Sequence, residues 1–303
     1  MAATTLRAMT TNPFGRVITA MITPMRPDGS IDEAGLRSVV EHLIANGHDG
    51  IVVNGTTGES ATLTDDESIE AVRLAKEAAG DRAAITAGVG SNDTAHSIHM
   101  AARAAEAGAD ALLVVAPYYN KPTQPGLVAH FRAIADSTEL PIMVYDVPHR
   151  TGQAISTETL IAVADHPRII AVKDAKGDLW AATHAMAATD LLWFSGDDVL
   201  TFAHLAQGAV GCVSVVGHVA GKEYAAMVAA VDSGDLAAAR EIHQRLIPVT
   251  DALMSTSQGA IMVKAALVEL GVIESAFVRL PLVESPPEHL DIMRKGLAGS
   301  GLA

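Results

Sequence analysis

The stretch RIIAVKDAKGD, residues 168–178, sets a lysine at the end of an unbroken apolar run. Ile169, Ile170, Ala171 and Val172 carry no polar residue among them. That is the character of a strand covered on both faces, as in a parallel sheet under helices. Lys173 closes the run. Seven other runs share its build: RVITAMIT (16–23), GIVVNG (50–55), AAITAGVG (83–90), ALLVVAP (111–117), LPIMVYDVP (140–148), LLWFSGDD (191–198) and GCVSVVG (211–217). Alanine-rich helical stretches fill the gaps. Eight strand–helix units closing on themselves predict an α/β fold, a (β/α)8 TIM barrel. A doubly wound sheet is the alternative, but it more commonly uses fewer strands, and no G-x-G-x-x-G follows the first run.

The helical stretches carry their own punctuation. SIDEAGLRSVVEHLIANG (30–47) has Ser30 and Glu33 at capping-box spacing and closes on Gly47. TDDESIEAVRLAKEAAG (64–80) repeats the spacing with Thr64 and Glu67 and ends on Gly80, and NDTAHSIHMAARAAEAGAD (92–110) closes on Gly108. After the eighth run, residues 221–235 read as the last barrel helix. The stretches 236–254, 260–271 and 286–299 then predict a C-terminal helical extension. The expected organisation is a tail over 1–14, a barrel over 15–234 and a helical region over 235–303.

Composition narrows the class. The 303 residues are 49% hydrophobic and carry a formal net charge of −14. Such an acidic chain, with no basic stripe, argues against nucleic-acid binding. No apolar run approaches the ~18 residues of a membrane span. The single cysteine, Cys212, sits in an apolar run and reads as a core residue, and its isolation fits a reducing, cytoplasmic setting. The first residues, MAATTLRAMTTNPFGR, hold two arginines and no acid, a weak transit-peptide pattern beside the simpler reading of a short tail.

In a TIM barrel the chemistry lies at the carboxyl ends of the strands. Those ends here read NGTTGES (54–60), PYYNKP (117–122), YDVPHRTG (145–152), Lys173, SGDD (195–198) and VSVVGH (213–218). Taken alone, Lys173 fits an ion pair with a neighbour such as Asp174. The other role is an imine-forming nucleophile, which requires a neutral amine. An apolar setting supplies it by disfavouring the ammonium. The Gly55–Thr56–Thr57–Gly58 turn offers hydroxyls and successive amides to a carboxylate, or it is only a tight turn. Tyr145 carries a hydroxyl at a strand end, and Arg150 a bidentate fork for a carboxylate. Tyr118 and Tyr119 are adjacent and so point to different sides. His96, His99 and nearby Asp93 are a poor zinc set on an alanine-rich helix, and no metal is expected.

GIVVNGTTGES followed by Glu67, YDVPHRTG and IIAVKDAKGD together resemble the dihydrodipicolinate synthase and N-acetylneuraminate lyase superfamily. The resemblance runs from about residue 14 to about 300 and includes AMITPM, LLVVAPYYNKP and FSGDD. Within it, Arg150 and PYYNKP resemble the synthases, because sugar-acid lyases generally lack that arginine. The resemblance implies a Schiff-base condensation of pyruvate with L-aspartate 4-semialdehyde to 4-hydroxy-tetrahydrodipicolinate. That is the first committed step of diaminopimelate and lysine biosynthesis.

Carried onto this chain, the resemblance implies that Lys173 forms the imine and Tyr145 moves protons. Thr56 and Tyr119 link Tyr145 to solvent, with Tyr119 reaching into an adjacent subunit. Thr57 holds the pyruvate carboxylate, Arg150 binds the semialdehyde carboxylate, and Val213 offers its backbone near pyruvate. No cofactor is implied, and the assembly is a homotetramer built as a dimer of dimers. Lysine-sensitive members bind L-lysine in a cleft that Ser60, Ala61, Asn92 and Tyr118 match here. His96 stands where such members often carry a glutamate, and Asp65 and Ser68 where some carry histidines. Weak or absent lysine feedback is therefore expected. The competing readings are another pyruvate aldolase acting on 2-keto-3-deoxy sugar acids or N-acetylneuraminate, a silent keto-acid-binding paralogue, and a metal-dependent barrel hydrolase.

Overall fold

Eight strands pair in chain order and close on themselves in the computed structural model, which describes residues 12–302. They are β1 (Val17–Ala20), β2 (Gly50–Val53), β3 (Ala84–Gly88), β4 (Ala111–Val115), β5 (Ile142–Asp146), β6 (Ile169–Asp174), β7 (Leu192–Ser195) and β8 (Gly211–Ser214). Every pairing is parallel, and β1 meets β8 with Val17 opposite Cys212. Each strand lies inside one of the eight runs read from the sequence. Of the expected tail and the transit-peptide pattern, residues 1–11 lie outside the described residues.

Side chains alternate between two cores, because successive residues of a strand face opposite sides. Ile18, Val52, Leu113, Met143, Ala171, Phe194 and Val213 fill the barrel interior. Val17, Ile51, Leu112, Val144, Val172 and Cys212 face the surrounding helices. Each Val, Ile, Leu, Met or Phe among them, fully buried, contributes about 1.5–3 kcal/mol. Burial also pushes the Cys212 thiol well above its usual range, so it stays protonated and inert. Phe14, read as part of the tail, is fully buried and stands edge-on to Phe194 with ring centroids 5.9 Å apart.

One irregularity bears on the site. Ile142 pairs with Ile169 but Met143 pairs with Ala171, so β6 carries an extra residue, Ile170. A bulge of this kind re-aims the side chains that follow it. Ile169 faces the helices, yet Ala171 faces the interior, and the alternation resumes from there. Were β6 to alternate regularly through Ile170, Lys173 would share the outward face of Ile169.

Two helix expectations need correction. Ser30 and Glu33 form no capping box. Asp32 is the N-cap of helix Glu33–Ala45, and the Ser30 hydroxyl donates to Asp28 at 2.6 Å. The stretch 236–254 is two helices, Leu236–Arg245 and Ile247–Met254. Pro248 is tolerated in a first turn but, inside a continuous helix, would clash with the carbonyl four residues back. The Thr64–Glu67 capping box is present, with bonds of 2.9 and 3.2 Å, and Asp93 caps helix Thr94–Glu106. The last barrel helix, Gly217–Asp232, starts four residues before the stretch read for it. Helices Gly259–Glu269 and Pro287–Gly299 complete the chain's C-terminal region.

Candidate active site

Tyr145 lies opposite Lys173 in the pairing of β5 with β6, and both side chains point inward. The Lys173 ammonium nitrogen sits 4.2 Å from the centre of the Tyr145 ring. Lys173 is only 5% exposed. Burial lowers its pKa from 10.5 to about 8, with the Asp198 carboxylate opposing and the Arg150 guanidinium adding to the shift. Burial raises the Tyr145 phenol to about 12, against a smaller opposing pull from Arg150. Near neutral pH the site therefore pairs a partly neutral amine with a fully protonated hydroxyl.

Asp174, the nearest sequence candidate for an ion pair, faces the helices instead, where its Oδ1 accepts the Lys176 amide at 2.8 Å. The stem of Lys173 is cleared by Gly196. A Cβ there would stand 2.8 Å from the lysine Cγ and 3.1 Å from the Asp174 carbonyl carbon and oxygen.

At the end of β2 the chain makes a tight 3-10 turn, Thr56–Gly58, closed by the Gly58 amide on Gly55 O at 3.0 Å and the Glu59 amide on Thr56 O at 3.1 Å. Thr56 is exposed and Thr57 buried. A cavity of about 710 Å3 opens over this turn, lined by Thr56, Tyr145, Val147 and Arg150 among others. Lys173, Thr57 and Val213 are buried, none more than 8% exposed. Arg150 stands exposed on the short helix Pro148–Thr151, where Pro148 presets the first turn.

Tyr118 lines the cavity and Tyr119 does not. Tyr119 is 89% exposed and holds a left-handed backbone, φ 72°, with its amide 3.3 Å from Thr151 O. Of the seven sequence candidates, Thr56, Tyr145 and Arg150 line the cavity and Lys173 packs against the Tyr145 ring, whereas Thr57, Val213 and Tyr119 are not among the lining residues.

The cavity extends away from Arg150 to Ser60, Ala61, Asp65, Ser68, Asn92 and His96. An acid, Asp65, stands there beside His96. His96 Nε2 lies 3.0 and 3.1 Å from the two carboxylate oxygens of Asp65, which it engages together. His99 is exposed, and among the described residues no group of three or more His, Cys, Asp and Glu is arranged to hold a metal ion.

Three supports of the site escaped the sequence reading. The first is the β6 bulge and the second is Gly196. The third is Asp198, which the SGDD run brings to a strand end without indicating its work. Its carboxylate accepts the Ser214 hydroxyl, the Tyr224 hydroxyl at 2.8 Å and the Val215 and Val216 amides at 3.0 and 3.2 Å. It thereby pins the segment that follows Val213. The doubled acid at a strand end is the only local signal for it.

Comparison with known proteins identifies the family of the chain and matches its fold. Residues 13–298 match the dihydrodipicolinate synthetase family. A 4-hydroxy-tetrahydrodipicolinate synthase of Kineococcus radiotolerans is 51% identical over 300 residues, covering 99% of this chain and 97% of the relative. A second such synthase, from Streptomyces coelicolor, is 51% identical over 290 residues, 96% of each chain. The crystal structure of the enzyme from Cyanidioschyzon merolae with lysine bound superposes with a TM-score of 0.93 at 42% identity, over 96% of this chain and 99% of that one.

Proposed function

The chain belongs to the dihydrodipicolinate synthetase family, and from that premise we propose that it is a lyase of the Schiff-base aldolase type. It condenses pyruvate with L-aspartate 4-semialdehyde to 4-hydroxy-tetrahydrodipicolinate, in diaminopimelate and lysine biosynthesis. The observation that carries the mechanism is the buried Lys173 amine beside the Tyr145 ring.

Neutral Lys173 attacks the keto carbon of pyruvate, water leaves, and an imine forms. The imine draws electrons from the methyl group, whose proton is lost to give the enamine. Tyr145, held protonated, supplies and recovers protons through these steps, and Thr56 relays them toward solvent. Thr57 and the turn amides hold the pyruvate carboxylate, and the backbone at Val213 borders the bound keto acid. The enamine carbon adds to the aldehyde of the semialdehyde, whose carboxylate Arg150 grips at the rim. The amine of that substrate then closes the ring on the imine carbon and releases Lys173. The lysine itself serves as electron sink, so no cofactor takes part.

The assembly we infer is a homotetramer, a dimer of dimers, in which Tyr119 completes the relay of a neighbouring subunit. An exposed tyrosine in a strained left-handed conformation supports that role. The setting we infer is the cytoplasm. Among the described residues no helix is long and apolar enough to cross a membrane.

Steady-state turnover tests the substrate assignment. With pyruvate present, aspartate semialdehyde is consumed, whereas 2-keto-3-deoxy sugar acids and N-acetylneuraminate are cleaved slowly or not at all. Faster cleavage of a sugar acid than condensation with the semialdehyde would move the chain to the aldolase branch.

A further inference from the structure

The turn that carries Thr56 and Thr57 is held from outside the barrel. Glu59 ends that turn with a left-handed backbone, φ 56° and ψ 34°, although it is not glycine. Such a conformation persists only where its surroundings over-determine it. Those surroundings come from the C-terminal region. Lys264, on helix Gly259–Glu269, donates to Glu59 Oε1 and also to Phe277 O at 2.8 Å. The Arg279 amide donates to Glu59 Oε2 at 3.0 Å. The Arg279 guanidinium pairs with Glu67 and reaches Thr62 O at 2.6 Å and Gly29 O at 2.8 and 3.0 Å. Residues 277–279 are thus tied to both ends of the segment 59–67. Just beyond Leu280, Pro281 and Leu282 line the cavity, as does Gln258, the N-cap of the helix that carries Lys264.

The Glu59 and Lys264 side chains are 1% and 0% exposed, and their charges are spent on each other and on the Phe277 carbonyl and Arg279 amide. A buried ion pair is a poor source of stability, because well-packed apolar residues often do as well. It does fix geometry, since each group must meet its partner in one arrangement. We propose that Glu59, Lys264 and Arg279 are positioning residues for the reaction. They latch the C-terminal region onto the Thr56–Gly58 turn and so set the site of the keto-acid carboxylate. The inference rests on the reading above, in which Thr57 and the turn amides hold the carboxylate of pyruvate.

The test uses the full chain and separates KM from kcat. The double variant Glu59→Gln/Lys264→Met removes both buried charges together and leaves an acceptor for the Arg279 amide. Its KM for pyruvate rises about tenfold, the order expected when a binding group shifts by a fraction of an ångström. Its KM for aspartate semialdehyde stays within about twofold, because Arg150 lies on another loop. A folded double variant whose pyruvate KM is unchanged, with losses confined to kcat or melting temperature, overturns the proposal. If the double variant does not fold, Arg279→Met decides, since that side chain is 21% exposed. The same split supports the latch, and an unchanged pyruvate KM overturns it. A parent chain that fails to turn over pyruvate overturns the proposed function as well. An active parent with unaltered variants overturns this inference alone.

Discussion

Lys173 shows how a barrel makes an ammonium give up its proton. Burial disfavours the charge, and a pKa of about 8 leaves about a tenth of the amine neutral at pH 7, against well under a thousandth for an ordinary lysine. The rate of imine formation, read as kcat/KM for pyruvate, therefore rises with pH and inflects near 8. A profile still climbing past pH 10 contradicts this. The same shift has a stability cost. Between about 8 and 10.5 the unfolded chain binds more protons than the folded one, so stability rises with pH across that window. Below it the penalty is about 3 kcal/mol, at about 1.4 kcal/mol per pH unit. Lys173→Met abolishes turnover and melts higher than the parent at pH 7.

Arg150 is the residue whose loss distinguishes the two substrates. Arg150→Ala raises KM for aspartate semialdehyde more than KM for pyruvate. It also moves the Lys173 inflection upward, because a nearby positive charge is removed. Equal effects on both substrates contradict the role given to Arg150. The positions of Lys173 and Tyr145 were legible in the sequence because each stands at the end of an apolar run, and Arg150 follows in the loop after Tyr145. Gly196 was not, since nothing local in SGDD says that a lysine stem passes 2.8 Å from where its Cβ would be.

At the scale of elements, the periodic runs gave away every strand, but their faces depended on something the runs do not show. A strictly alternating β6 would place Lys173 on the face of Ile169, and the extra residue Ile170 reverses that. Four apolar residues in a row carry no mark of a bulge. Helix caps show the same limit. Ser30–Glu33 and Thr64–Glu67 have identical spacing, yet only the second forms a capping box, because Asp28 takes the Ser30 hydroxyl and Asp32 becomes the cap. Thr64→Ala should cost about 1 kcal/mol of stability, and Ser30→Ala a few tenths. Equal costs in thermal melts would mean the two sites are capped alike.

For the whole molecule, contacts between distant parts of the chain were the least legible. Lys264 meets Glu59 across 205 positions, and a lysine within an apolar helical stretch does not announce its partner. Regulation belongs to this scale. The cleft beyond the active site keeps an acid, but His96 occupies both oxygens of Asp65. An ammonium group entering there would compete with His96 for the Asp65 carboxylate, where a charge-assisted hydrogen bond is worth about 1.5–3 kcal/mol. L-lysine is therefore expected to inhibit weakly or not at all, and inhibition at sub-millimolar concentration in a steady-state assay contradicts this.

The central claim is that a single buried amine performs the covalent chemistry of the barrel. Borohydride reduction in the presence of pyruvate, followed by peptide mass analysis, tests it most directly. Irreversible loss of activity and a pyruvate-derived adduct on the peptide containing Lys173 are the expected result. Full activity with Lys173 unmodified, or an adduct on another lysine, would contradict it.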